Sequence, residues 1–276
     1  MLSDEKDFIY LHHDYALGDA HRDRTPVVLL LDNGCADPGA YFFINMKKDL
    51  PPVKVAVLID GGFFVKRFNS LYNKDRKMSG EEVANHLYTI AHSHVGSNNI
   101  LYRIFYYDCL PLSKKVHNPI SHKLIDYSLS DEYRFRVSLM DELKKKRKVA
   151  LRLGSLKDNS NWLIYPRVTK ELLSGKKALS DLKESDVYLE LRQKGIDMKI
   201  GVDIASLALK KFVDTIVLIS GDSDFVPAAK LARREGIDFI LDPMYANVEP
   251  QLFEHIDGME SKPLKIKNKK ATGGSK

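Results

Sequence analysis

The sequence predicts an α/β protein: an open, mainly parallel sheet with helices on both faces and an inserted hairpin or helical region. Three observations carry that expectation. Short, nearly continuous apolar runs recur, as strands covered on both faces require. Stretches of helical period lie between them, so strand and helix alternate and right-handed crossovers follow. The apolar runs end in acids and glycines, which places polar groups at strand ends.

Taken in order, Lys54–Ile59 is the first strand, and a loop is expected after it. Ser79 and Glu82 form a capping box that opens a helix, whose apolar stripe is Val83, Leu87, Ile90 and Ala91. Ile100–Tyr107 is rich in β-branched and aromatic residues and reads as a strand. Residues 131–148 read as a helix, with Phe135, Leu139 and Leu143 at spacing four. Val149–Leu153 and Trp162–Tyr165 are expected to be strands around a polar turn at Asp158–Asn161. In the last third, Met198–Ile200 reads as a strand, Ile204–Val213 as a helix and Thr215–Ser220 as a strand. Phe225–Glu235 reads as a helix and Ile237–Leu241 as a final strand.

The domain is expected over 51–260, with an insertion around 109–180. Residues 1–50 are turn-rich or polar; either they are a poorly ordered extension, or Met46 is the natural start and 1–45 an upstream choice. The formal charge of +6 resides in the tail: residues 261–276 hold six lysines and no acid, which leaves 37 bases and 37 acids before them. That tail is expected to be disordered, serving either to attract a polyanion or to solubilise. Two distant cysteines, Cys35 and Cys109, exclude a disulfide scaffold and a cysteine-rich zinc site. With no apolar run near the roughly 20 residues a bilayer needs, a cytoplasmic protein without membrane contact is expected.

The chemistry points to the strand ends. Asp60 follows Val-Leu-Ile and precedes Gly61-Gly62. Asp222 and Asp224 follow Val-Leu-Ile-Ser in Ser220-Gly221-Asp222-Ser223-Asp224. Asp203 is expected to open a helix after the strand Met198–Ile200. In an open parallel sheet these carboxyl ends share one edge, where ligands bind. Massed carboxylates repel unless a cation neutralises them, and oxygen-only ligands suit Mg²⁺ or Mn²⁺. Such a site can activate water against a phosphoryl group. Gly61, Gly62 and Gly221 would admit a sugar–phosphate backbone, while Ser220, Ser223 and the amides after Asp224 could hold a phosphate. Singly, each acid has a plainer reading, since Asp203 or Asp224 alone is a helix cap and Asp60-Gly61 a turn.

The runs Val-Leu-Ile-Asp60-Gly61-Gly62-Phe63, Gln193-Lys-Gly-Ile-Asp-Met-Lys-Ile-Gly-Val-Asp203 and Ser220-Gly-Asp-Ser-Asp-Phe-Val-Pro227 resemble the motifs of the NYN domain family, the nearest being its bacterial LabA-like branch. The resemblance spans about 53–245. It implies a PIN-like fold and Mg²⁺- or Mn²⁺-dependent cleavage of RNA phosphodiester bonds, leaving a 5′-phosphate. The family's metal-site acids would map onto Asp60, Asp203, Asp222 and Asp224, with Asp108 as a fifth. Many members have an Asn shortly after the first Asp-Gly, where this chain has Gly62-Phe63-Phe64. Such domains often pair, so a homodimer is an expectation too.

Two other readings stay open beside the ribonuclease: a non-catalytic regulator binding RNA or protein on the same fold, and a phosphatase or nucleotide-processing enzyme. The run Lys144, Lys145, Lys146, Arg147, Lys148 reads either as phosphate contacts or as a solvated basic helix end. Tyr102, Tyr106, Tyr107 and Trp162 could stack on bases, though at alternating strand positions core packing is the stronger reading. No histidine is assigned a catalytic role.

Overall fold

The computed structural model describes residues 51–73 and 77–264, the side chains of 157–160 excepted. The expected extension over 1–50 and the basic tail beyond 264 lie outside the described residues. The chain runs β1 (Lys54–Asp60), α1 (Gly61–Tyr72), α2 (Gly80–Ser93) and β2 (Ile100–Cys109). A small hairpin follows, β3 (Lys115–His117) with β4 (Leu124–Asp126). Then come α3 (Asp131–Lys145), β5 (Val149–Ile164), α4 (Pro166–Leu173), β6 (Val187–Lys194) and α5 (Ile196–Leu209). The last elements are β7 (Thr215–Ile219), α6 (Val226–Arg234), β8 (Asp238–Asp242), α7 (Pro250–Phe253) and β9 (Gly258–Met259).

Seven strands form one sheet in the order β6-β5-β2-β1-β7-β8-β9, parallel except where β5 meets β6. The reason β1 and β7 read as continuous apolar runs is visible in their packing. Val55, Val57 and Ile59 pack with α1, α2 and α3 on one face. Ala56 and Leu58 pack with α5, α6 and α7 on the other. Each fully buried Leu, Ile or Phe in these two cores contributes about 1.5–3 kcal/mol. The expected open α/β sheet, with helices on both faces, is therefore what the chain forms.

Strand order reverses at β1, whose neighbours are β2 on one side and β7 on the other. That is the switch point at which open α/β sheets bind ligands. The capping box also forms as expected: Glu82 N–H donates to Ser79 Oγ at 3.2 Å, and Ser79 N–H to Glu82 Oε2 at 2.9 Å.

Four local expectations are corrected. After Asp60 there is a helix, not a loop: Asp60 caps α1, and Phe64 and Phe68 stack at 5.7 Å in the core. Met198–Ile200 is not a strand but the first turns of α5, because Ile196, Ile200 and Ile204 at spacing four all face the sheet. No turn divides Asp158–Asn161; β5 is one strand across it, with an irregular register between Asp158 and Trp162. Its pairing partner β6 escaped notice because only Val187 and Leu189 of that strand are buried.

β5 has two partners in succession. Over Val149–Gly154 it lies parallel to β2, and from Ser155 it pairs antiparallel with β6. The returning β6 ends beside Ser155 and leads through Gly195 into α5, which delivers the N-terminus of α5 to the carboxyl edge of the sheet.

Candidate active site

Asp60 ends β1 at the switch point. Its Oδ1 accepts the Phe63 N–H at 3.1 Å, so the capping of α1 holds the carboxylate at the edge. Burial raises its pKa above the ordinary carboxylate value, and the charges of Asp197 and Asp108 push it further. Asp222 follows β7, on the other side of the switch point. It accepts the Asp224 N–H at 3.0 Å and caps a single turn over Ser223–Phe225 that leads into α6. Asp222 and Asp224 are both exposed.

Helix α5 also brings Asp197 beside this group, an acid that lies within the quoted motif but is not among the expected site residues. It stands in the first turn of α5, and its pKa is raised by desolvation and then by the charges of Asp222 and Asp224. Asp197 thus feels the acids of β7 while Asp60 feels Asp197, and one run of negative charge crosses the edge. The signal was present, since Asp197 follows the Gly195 turn by two residues within the quoted motif. Because 198–200 belongs to α5, that helix opens at Ile196 rather than near Asp203, and both Asp197 and Asp203 stand on it.

Asp203 lies one and a half turns further along α5. It is engaged by Tyr107, whose hydroxyl donates to Oδ2 at 2.8 Å, and by Arg152, whose Nε donates to the same oxygen at 2.9 Å. Asp108, the proposed fifth acid, is 1% exposed and fully occupied. Its carboxylate accepts the Tyr106 hydroxyl at 3.0 Å, Arg136 Nη1 at 2.8 Å and the Cys109 N–H at 2.7 Å. Asp108 and Arg136 form a mostly buried ion pair behind Asp60, not an open ligand.

The glycines serve packing. A Cβ on Gly61 would lie 2.6 Å from the Tyr106 hydroxyl and 2.7 Å from the Tyr107 carbonyl oxygen. A Cβ on Gly221 would meet the Phe63 ring at 2.7 Å. Phe63 therefore fills the space over Gly221. Gly62 differs, with Asp60 Oδ1 at 3.5 Å and the Gln193 amide at 3.7 Å from its would-be Cβ. Ser220 is buried and its Oγ accepts the Asp222 N–H at 3.4 Å, while Ser223 is half-buried in the turn.

The basic run lies elsewhere. Lys144 and Lys145 close α3, where they pair with Asp141 at 2.8 Å and Glu142 at 2.6 Å. Lys146 bonds Asn85, the Arg147 carbonyl accepts the Tyr88 hydroxyl, and Lys148 bonds the Leu101 carbonyl. These residues precede Val149, the amino end of β5, whereas the acids occupy the carboxyl ends. The paired stretch of β5 puts about 20 Å between the two edges. Tyr106 and Tyr107 are fully buried, and Tyr102 stacks on Phe212 at 6.2 Å, so these rings pack the protein. Trp162 pairs with Leu189 in the β5–β6 ribbon.

Asp60, Asp197, Asp222 and Asp224 offer only oxygen donors, and their mutual repulsion is what a hard divalent ion relieves. Among the described residues, no three acid, His or Cys side chains stand close enough to hold an ion as they are placed. The donor chemistry alone fits such an ion.

Residues 169–248 match the model of the NYN domain. The matched stretch contains Asp197, Asp203, Asp222 and Asp224, while Asp60 and Asp108 precede it. The NYN match is to the domain as a whole and does not distinguish the LabA-like branch. Among solved structures, a protein of unknown function from Vibrio parahaemolyticus is similar at 13% identity. The likeness covers 76% of this chain and 93% of that one, with a TM-score of 0.40. No curated protein matches the chain. No described helix is long and apolar enough to cross a membrane.

Proposed function

We propose that this protein is a divalent-metal-dependent ribonuclease of the cytoplasm. Asp60, Asp197, Asp222 and Asp224 would hold Mg²⁺ or Mn²⁺ at the switch point of the sheet. The observation that supports it most is convergence: β1, the start of α5 and the end of β7 bring carboxylates to one edge, where burial first and neighbouring acids second raise the pKa values of Asp60 and Asp197. Three of those four acids lie in the stretch that matches the NYN domain, a family of nuclease character.

A bound divalent ion would lower the pKa of a water molecule and neutralise charge on a phosphodiester. The chain's own groups do the rest. The Phe63 amide fixes Asp60 through the α1 cap, and the Asp224 amide fixes Asp222. Arg136 pairs with Asp108 and offsets part of the negative charge behind Asp60, whose pKa Asp108 still raises. Raised pKa values at Asp60 and Asp197 mean that protons compete with the ion, and activity falls at acid pH.

A second reading, RNA binding without cleavage, is favoured by the Phe63 ring over Gly221 and by the spacing of the acids. Labelled RNA incubated with Mn²⁺, Mg²⁺ or EDTA, beside Asp222→Asn, separates the two. Metal-dependent cleavage lost in the variant supports the nuclease. Retained RNA binding with no cleavage in any metal supports the binder.

A further inference from the structure

Beside the acid edge, Arg152, Met198, Lys199, Val202 and Asp203 line an open pocket of about 290 Å³. That is the small end of ligand sites, which run about 300–1,000 Å³. Met198 is 72% and Val202 54% exposed, an unusual display for large apolar side chains one turn apart on a helix. Across from them the Arg152 guanidinium lies 5.1 Å from the Phe105 ring centroid and is tied to Asp203. It presents a fixed planar face of the kind on which bases stack. Asp203 contributes a carboxylate whose two bonds both fall on Oδ2, so Oδ1 keeps acceptor capacity. Lys199 adds a cation at the rim.

We infer that this pocket binds one nucleobase of the RNA, and that Asp203 selects a base with an exocyclic amino group over uracil. The inference rests on the reading of the edge as an RNA site. Met198 directly follows Asp197, so the pocket receives the nucleotide next to the one at the acids. An acceptor-only carboxylate pairs with an amino group and repels the carbonyl that uracil places there. Apolar walls and a stacked guanidinium hold any base; the carboxylate chooses. Asp203 is then a specificity residue rather than a metal ligand, which accounts for its being held by the Tyr107 hydroxyl and paired with Arg152.

Cytosine and uracil differ at C4, amino against carbonyl, and at N3, acceptor against N–H donor, and the pair makes the test because only cytosine offers the exocyclic amino group. Fluorescein-labelled hexacytidylate and hexauridylate are titrated with the full chain in EDTA, where cleavage cannot intervene. The inference expects cytidylate to bind about tenfold tighter, the discrimination a good polar base contact provides. Val202→Trp, which fills the pocket from an exposed helix position, should erase the difference. Asp203→Asn, which replaces an acceptor by a group that also donates, should erase or reverse it. Asp222→Asn should keep it. Equal affinities in the unmodified chain, or a preference that survives Val202→Trp, would overturn the inference. A preference that persists in a protein with no metal-dependent cleavage would sink the nuclease reading and leave the base pocket standing.

Discussion

Replacing Asp60 by Asn should make the metal-free protein more stable, although it removes a residue central to the site. Burial, then the charges of Asp197 and Asp108, raises the Asp60 pKa above its ordinary 3.8. A carboxyl so raised binds its proton more tightly in the folded chain than in the unfolded one. Between 3.8 and the raised value, stability therefore falls as pH climbs, and above that window the ionised group carries the whole penalty. Asn removes the charge yet keeps the acceptor for the Phe63 amide, since Asn and Asp cap helices about equally. The gain should be about 0.5–2 kcal/mol, or about 2–4 °C in Tm per kcal/mol for a domain of this size. A divalent ion reverses the order. At a hundred times its Kd it adds about 2.7 kcal/mol to the unmodified chain and little to the variant. Thermal melts in EDTA and in Mn²⁺, at pH 7 and pH 5, read all of this. The variant should melt higher in EDTA, by less at pH 5 than at pH 7, and lower in saturating Mn²⁺. A variant that melts lower in EDTA, or gains as much from Mn²⁺ as the unmodified chain, would refute the reasoning.

The packing reading of Gly61 predicts that Gly61→Ala costs about 1–3 kcal/mol, because the added carbon meets the buried Tyr106 ring and a backbone carbonyl that cannot swing away. Urea denaturation measures it, and an unchanged midpoint would return Gly61 to the role of ligand clearance. Asp108→Ala should destabilise by about 1–3 kcal/mol, since it removes the acceptor of the buried Tyr106 hydroxyl and of the Cys109 amide and leaves Arg136 only its exposed partner Glu132. Adding Arg136→Met should recover part of that loss in the same assay, and additive losses would show that the ion pair is not the cause.

The sequence announced its edge more clearly than its helices. Strands β1 and β7 were legible because both faces are buried, which forces a continuous apolar run. The capping box of α2 was legible because its two hydrogen bonds need only residues three apart. Helix α1 was hidden behind Gly61-Gly62, read as turn residues, when Gly61 is there for the approach of Tyr106. Strand β6 exposes most of its length and carries Glu190, Arg192 and Lys194. Only its pairing with β5 makes it a strand, and pairing is not local. The site followed the same rule. The positions of Asp60, Asp222 and Asp224 at strand ends are legible because each abuts an obvious strand. That of Asp197 is not, because the start of α5 is not marked by an apolar run, and the pairing of Asp108 with Arg136 joins residues distant in sequence. Composition could not say at which edge the Lys144–Lys148 run lies, since charge carries no information about position; the structure places it before the amino end of β5.

On the proposed function, Asp197 completes the acid set with Asp60, Asp222 and Asp224. The most direct test is the rate of Mn²⁺-dependent cleavage of a labelled single-stranded RNA by Asp197→Asn, with its fold checked by far-UV circular dichroism. The account predicts an intact fold and a rate lower by about a hundredfold or more, as for removal of one electrostatic group from a catalytic centre. Cleavage by Asp197→Asn at the rate of the unmodified chain would contradict it.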